Sequence, residues 1–227
     1  MKYLVCLMLA LMLTGCGEMQ VVETLDIVAV ETVRERILGD LGLDPQGEYL
    51  PEDLTYLARE FVYRTNTWPK ESTQIDVELD FLPTYEAWKM GEASFKCGGS
   101  AYTLAWMIEQ LGVPARGVQL AAQTFLEGET DLDTHVTTEV YLKGKWVMHD
   151  PTFNASFRCH GKDASILDLV ECEEPEAVLG VDQSKHTLEA YPIPYMDFLA
   201  AYSFNNPYAS RLRLDPDQDF PFEGWDD

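Results

Sequence analysis

The sequence predicts an α+β domain, and three observations carry that expectation. The run from Phe95 to Gly117 places apolar residues at Ala101, Leu104, Ala105, Ile108 and Leu111. That is the i, i+3, i+4, i+7 stripe of a helix with one buried face. Downstream, Thr134 to Leu142 alternates and Trp146 to Asp150 follows closely, the pattern of a β-hairpin. The helical patterns precede the strand patterns rather than alternating with them, which favours an antiparallel sheet with helices segregated to one side. With 227 residues, 46% hydrophobic and 24% charged, the chain can bury a core as a single domain.

In chain order, Lys2 and the apolar run Tyr3 to Leu13 read as a signal peptide over 1–15, too short to span a bilayer. Leu13-Thr14-Gly15-Cys16 resembles the bacterial lipobox, which implies lipidation of Cys16 and a cell-envelope lipoprotein on the periplasmic side. Gly17 after that cysteine, where Asp would retain the protein in the inner membrane, leans towards the outer membrane. Residues 16–28 read as a tether and 29–227 as one domain. Glu31 to Leu43 has a weak helical pattern. Pro51 opens a stronger one through Leu54, Leu57, Ala58, Phe61 and Val62, with proline in the first turn and Glu52 and Asp53 beside it. Thr67 to Glu92 has no sustained period and is punctuated by Pro69, Pro83 and Gly91, so it reads as loop with short pieces of structure.

The central helix is closed by Gly112 and prevented from resuming by Pro114. Cys97 falls at or just before its N-terminus, where unpaired N–H groups and the macrodipole favour a thiolate. Gly98 and Gly99 leave room beside the sulfur for a second backbone. Arg116 to Ala122 reads as a strand. Glu127, Glu129, Asp131 and Asp133 form an acidic loop, expected to be solvated rather than calcium-binding because no EF-hand spacing is present. Beyond the hairpin, Ala164 to Leu169 reads as a short helix, Tyr195 to Tyr202 as a segment packing back on the domain, and the tail from Asp215 as loose.

Net charge is −23, and because residues 1–15 hold one lysine and no acid, the remainder carries −24. Such a surface repels nucleic acid and anionic headgroups. Of five cysteines, Cys6 leaves with the signal peptide and Cys16 carries lipid. Cys159 and Cys172 are close enough in sequence to pair in an oxidising compartment, leaving Cys97 as the odd thiol. No CxxC or HExxH spacing occurs, so neither a metal nor another cofactor is expected.

His135 and Asp150 give Cys97 a chemistry. A thiol nucleophile needs a base within reach, and the base needs a partner that fixes its tautomer. Strand period puts His135, Thr137, Glu139 and Tyr141 on one face, and Trp146, Met148 and Asp150 on one face. His135 directly opposite Asp150 requires Glu139 opposite Trp146, with a loop of Tyr141 to Gly144 or a turn of Leu142-Lys143. A Gly144-Lys145 turn instead carries Asp150 roughly 13 Å from His135. The chemistry selects the first register.

Three motifs, C-G-G-S-A-Y-T-L-A with L-G-V-P-A-R (Cys97 to Arg116), H-V-T-T-E-V-Y (His135 to Tyr141) and W-V-M-H-D-P-T (Trp146 to Thr152), resemble the core of the transglutaminase-like superfamily. They cover about 55 residues within 95–152. The resemblance implies a papain-like core in which a nucleophile helix packs on an antiparallel sheet, with Cys97 as nucleophile, His135 as base and Asp150 as orienter. Asp150 to Leu169 looks like the continuation in bacterial members. Thr137 stands where the family commonly has an aromatic residue, and Lys96 and Gly98 replace the Gln and Trp that flank the cysteine of cross-linking members. Hydrolysis of a peptide or amide bond in a protein or peptide substrate is therefore favoured over acyl transfer to an amine. A silent binding or scaffold module on the same fold is the alternative from another class. No Asn or Gln lies between Ile75 and Lys96, so the backbone N–H of Cys97 is the expected oxyanion donor.

Overall fold

A computed structural model of the chain describes residues 32–68, 81–130, 133–190 and 194–205, all within the unit Glu31–Asp227. The expected signal peptide, tether and lipidation site at Cys16 lie outside the described residues, as do Asp131 and the tail from Asp215. Among the described residues no helix is long and apolar enough to cross a membrane.

Helix α1 (Val33–Asp40) starts at a capping box, in which Thr32 Oγ1 accepts from Glu35 N and Glu35 accepts from Thr32 N. Helix α2 (Pro51–Thr65) has proline at its start. Helix α3 (Phe81–Lys89) is a piece of structure within the span expected to be loop with short pieces of structure. Pro83 falls in the first turn, where an N–H has no intrahelical partner to lose, so it does not interrupt the helix. Helix α4 (Cys97–Gln110) carries the predicted stripe, with Ala101, Leu104, Ala105 and Ile108 fully buried. It closes in a Schellman motif: Val113 N donates to Ile108 O and Gly112 N to Glu109 O, with Gly112 at φ +88°.

The strands are β1 (Ala115–Ala121), β2 (Thr134–Leu142), β3 (Lys145–Asp150), β4 (Ala155–Cys159), β5 (Lys162–Asp163), β6 (Pro175–Leu179) and β7 (Ala201–Asn205). Two short helices, α5 (Gln123–Leu126) and α6 (Ile166–Val170), interrupt them. Every strand pairing is antiparallel, in the order β5-β4-β3-β2-β1-β7, with β6 also on β4. Helices α1 to α4 cover one face, packing Leu38, Val62, Trp88 and Met107 against Val140, Leu142 and Val147. The other face packs Val118, Leu120 and Met148 against Phe153, Phe157, Ile166, Tyr195 and Phe198. The architecture is a mixed helix and antiparallel-sheet α+β fold.

Neither register weighed from the sequence is the one adopted. Leu142 pairs with Lys145, Glu139 with Met148 and Thr138 with His149. The turn is Lys143-Gly144, with φ of +49° and +84°, the doubly left-handed turn whose twist suits a two-residue hairpin. Extending the register sets Asp150 against Thr137, two residues from His135 and on the same face.

In the acidic loop, Asp133 accepts from Thr124 Oγ1 at 2.6 Å and Glu127 from Gln123 Nε2 at 2.9 Å. A disulfide joins Cys159 at the end of β4 to Cys172 beyond α6, with Cα atoms 5.9 Å apart.

Candidate functional site

Cys97 is the first residue of α4, and Lys96 before it provides no side-chain cap. The positive end of the helix dipole is therefore not discharged by a carboxylate or hydroxyl at the cap, and it acts on the sulfur. The turn that delivers Cys97 is clamped by Asn66, the residue after α2. Its Nδ2 donates to Phe95 O and Ser100 Oγ, both at 2.9 Å, and its Oδ1 accepts from Phe95 N and Trp88 Nε1 at 3.2 Å. Gly99 has a local reason rather than a role at the sulfur: a Cβ there would lie 2.4 Å from the buried Phe95 side chain. At Gly98 a Cβ would meet only ordinary contact with Val136 and Tyr102.

The strands bring the other two residues to the cysteine. Past the last β2–β3 pair, the start of β2 still has β1 beside it, with Leu120 opposite His135. Here Cys97 lies near enough to His135 and the Val136 backbone N–H for both to act on its ionisation. On its other side His135 Nε2 lies 2.6 Å from Asp150 Oδ2. The diagonal placement spans about 7 Å along the strands, and the two side chains close it. His135 and Asp150 are buried, while Cys97 keeps partial exposure. The structure thus brings Cys97, His135 and Asp150 together.

Their electrostatics favour separated charge. Burial pulls the imidazole down, but the Asp150 carboxylate, and then the thiolate, outweigh it and raise His135 well above the ordinary histidine range. Burial pushes the Cys97 thiol up, and the neighbouring His135 brings it below its usual value. Asp150 is lowered: its burial is outweighed by His135, then by hydrogen bonds from Tyr195 and Thr152 N. Thiol and imidazole titrate as a pair, with thiolate–imidazolium the favoured form between their two midpoints.

Sequence reasoning missed several residues around this pair. Tyr195, on a 3₁₀ turn over Tyr195–Phe198, donates its hydroxyl to Asp150 Oδ2 at 2.6 Å. Phe153, Tyr195 and Phe198 enclose the imidazole with ring centroids 5.3–5.6 Å from it. They supply the aromatic packing that Thr137 does not. Thr137 instead donates to His149 O.

On the opposite face, buried Arg59 donates to Asn154 Oδ1 at 3.1 Å and approaches His149 Nδ1 at 3.3 Å. Burial and the Arg59 charge lower His149 to about 3, so it is neutral and accepts at Nδ1. Strand alternation keeps it off the Asp150 face. Only Tyr195 had a sequence signal, its apolar segment, and that signal carried no hint of a partner.

One cluster of metal-ligand side chains occurs among the described residues. Cys159, His160 and Cys172 place their ligand atoms within 4.8 Å of one another, but the two sulfurs are bonded to each other and offer no thiolate.

No family model matches the chain, and comparison with curated proteins returned no match. Among solved structures it is similar to a Cytophaga hutchinsonii protein provisionally described as a cysteine protease, at 15% identity and a TM-score of 0.40. The alignment covers 76% of this chain and 57% of the other, so the chain spans little more than half that protein's length.

Proposed function

We propose that this chain is a thiol hydrolase of the transglutaminase-like superfamily that cleaves a peptide or amide bond through a Cys97–His135–Asp150 triad. The observation that supports this reading is a partly exposed thiol at an uncapped helix start whose ionisation is coupled to His135, an imidazole held 2.6 Å from the buried Asp150 carboxylate. The Cys97 thiolate adds to the substrate carbonyl, and the oxyanion so formed is held by the backbone N–H of Cys97 at the helix end. The His135 imidazolium gives its proton to the departing amine, leaving a thioester and a neutral imidazole. Water then loses a proton to His135 and adds to the thioester. Release of the carboxylic acid restores the thiolate–imidazolium pair. Asp150 holds the ring so that one nitrogen faces the sulfur throughout.

The same reading places the enzyme at the cell envelope, on the periplasmic side and favouring the outer membrane, held by lipid on Cys16 and acting on protein or peptide substrates. Its test is labelling of intact protein with an electrophilic amide-directed probe, followed by profiling of cleaved envelope proteins. Labelling and cleavage that vanish in Cys97→Ala support the reading; equal labelling of wild type and variant removes it. For the anchor, wild type is expected in the membrane fraction and Cys16→Ser in the soluble fraction or unprocessed. Wild type recovered as soluble periplasmic protein contradicts lipidation.

A further inference from the structure

Asp150 makes more hydrogen bonds than an orienting carboxylate needs. Its Oδ1 accepts from the backbone N–H groups of Thr152 at 2.8 Å and Phe153 at 3.3 Å. Its Oδ2 accepts from two side chains at once, His135 Nε2 and Tyr195 OH, each at 2.6 Å. The Tyr195 ring is fixed independently of that bond. It stacks on Phe157 at 4.7 Å and meets Phe153 and the His135 imidazole edge-on. A phenol this deeply buried, with a carboxylate beside it, stays protonated: burial first, then Asp150, pushes its ionisation well above the ordinary tyrosine range. It is therefore a permanent donor to the oxygen on which His135 depends.

We propose that Tyr195 is a positioning residue of this site, whose hydroxyl shares Asp150 Oδ2 with His135 and so limits how strongly that carboxylate stabilises the imidazolium. The proposal rests on the thiol-hydrolase reading for its function and on the shared oxygen for its physics. An oxygen that already accepts from a phenol has less charge to offer a second donor. Too strong a carboxylate would hold the proton on His135 and slow its delivery to the departing amine, because a general acid works best near the operating pH. Tyr195 moves the pair towards that range and adds a second side-chain anchor to the carboxylate.

The charged and titratable groups that bear on Asp150 come from four elements. They are His135 on β2, Tyr195 on its 3₁₀ turn, the Cys97 thiol at the start of α4, and the Arg59 guanidinium on α2. Tyr195→Phe removes one of these donors and leaves the rest in place. It also preserves the ring that fills the cluster.

The test is NMR titration of histidine-labelled full-length protein, which has four histidines, with His135 identified from its loss in His135→Ala. In Tyr195→Phe the His135 midpoint is expected to rise by about half to one pH unit, since the hydrogen bond removed is one to a charged group. Site-specific fluorotyrosine at 195, a stronger donor on the same ring, is expected to lower it, and this arm stands even if the phenylalanine variant folds poorly. A residue that merely filled space would change thermal stability and leave the midpoint where it was. A raised wild-type midpoint that neither substitution moves overturns the role of Tyr195 and leaves the hydrolase reading standing. A wild-type midpoint at the ordinary histidine value removes the ion pair, and with it the hydrolase reading itself.

Discussion

Asp150 and Glu139 sit on the same face of one sheet, on adjacent strands, and neither is exposed. Both are saturated with hydrogen bonds. Asp150 takes an imidazole, a phenol and two backbone N–H groups. Glu139 takes Nε and Nη2 of Arg116 on one oxygen, at 2.8 and 2.6 Å, and Ile166 N on the other at 2.7 Å. The cations differ. Arg116 lies between the Trp146 and Phe204 rings, 4.2 and 3.7 Å from their centroids, and a guanidinium keeps its charge at any working pH. His135 can give up its proton, and its other side reaches a thiol. Burial and saturation therefore do not distinguish a reactive carboxylate from a structural one. The ionisation of the partner, and what lies beyond it, does.

Substituting each carboxylate by its amide sharpens this contrast. Asp150→Asn is expected to lower turnover by about 10³–10⁴-fold, because the amide favours the wrong imidazole tautomer while keeping the shape of the side chain. It also changes the alkaline limb of stability. The folded-state midpoint of His135 is raised, so its contribution is fully present below the ordinary histidine value and is lost as pH rises through about 10. Thermal melts of Asp150→Asn should lack that loss. Glu139→Gln is expected to cost about 3–5 kcal/mol in denaturant unfolding, as one partner of a buried ion pair is removed, with turnover nearly unchanged. If the two variants exchanged phenotypes, the assignment of roles would be reversed.

A third carboxylate provides the smallest effect. Glu109 is partly buried at the end of α4, and burial outweighs the opposing influence of the Ala115 N–H and raises it to about 7. The folded protein then holds a proton that the unfolded chain has released. Stability from this group is present below the ordinary glutamate value and falls as pH rises from there through 7. Glu109→Gln should remove that slope, with a melting temperature slightly above wild type at pH 8. A variant that melts in parallel with wild type across this range would show that Glu109 is solvated.

The three residues of the candidate site could be picked out because each sits in a local pattern that constrains it. Cys97 heads an apolar stripe closed by Gly112, and His135 and Asp150 lie in alternating strands. The hairpin register was not legible. The turn requires a left-handed Lys143, a residue that gives no such signal, beside a Gly144 that does. The site tolerates the difference because alternation kept both side chains on one face, and a two-residue offset is within reach of an imidazole and a carboxylate. Tyr195 and Asn66 act across 45 and 29 residues of sequence, and no periodicity links a donor to an acceptor at such distance. From sequence alone Pro83 looks like a break, because a proline in the first turn of a helix looks the same as one that ends a helix until the start is known.

The most direct measurement is the ionisation of Cys97, read by the pH dependence of iodoacetamide alkylation in folded wild-type protein and in His135→Ala. With the thiol lowered and the imidazole raised, the wild type is expected to alkylate rapidly below neutral pH, where an ordinary thiol is almost wholly protonated. His135→Ala should move that reactivity up towards the ordinary thiol range. A wild-type profile that follows an ordinary thiol, indifferent to the loss of His135, would contradict the ion pair and leave only the fold.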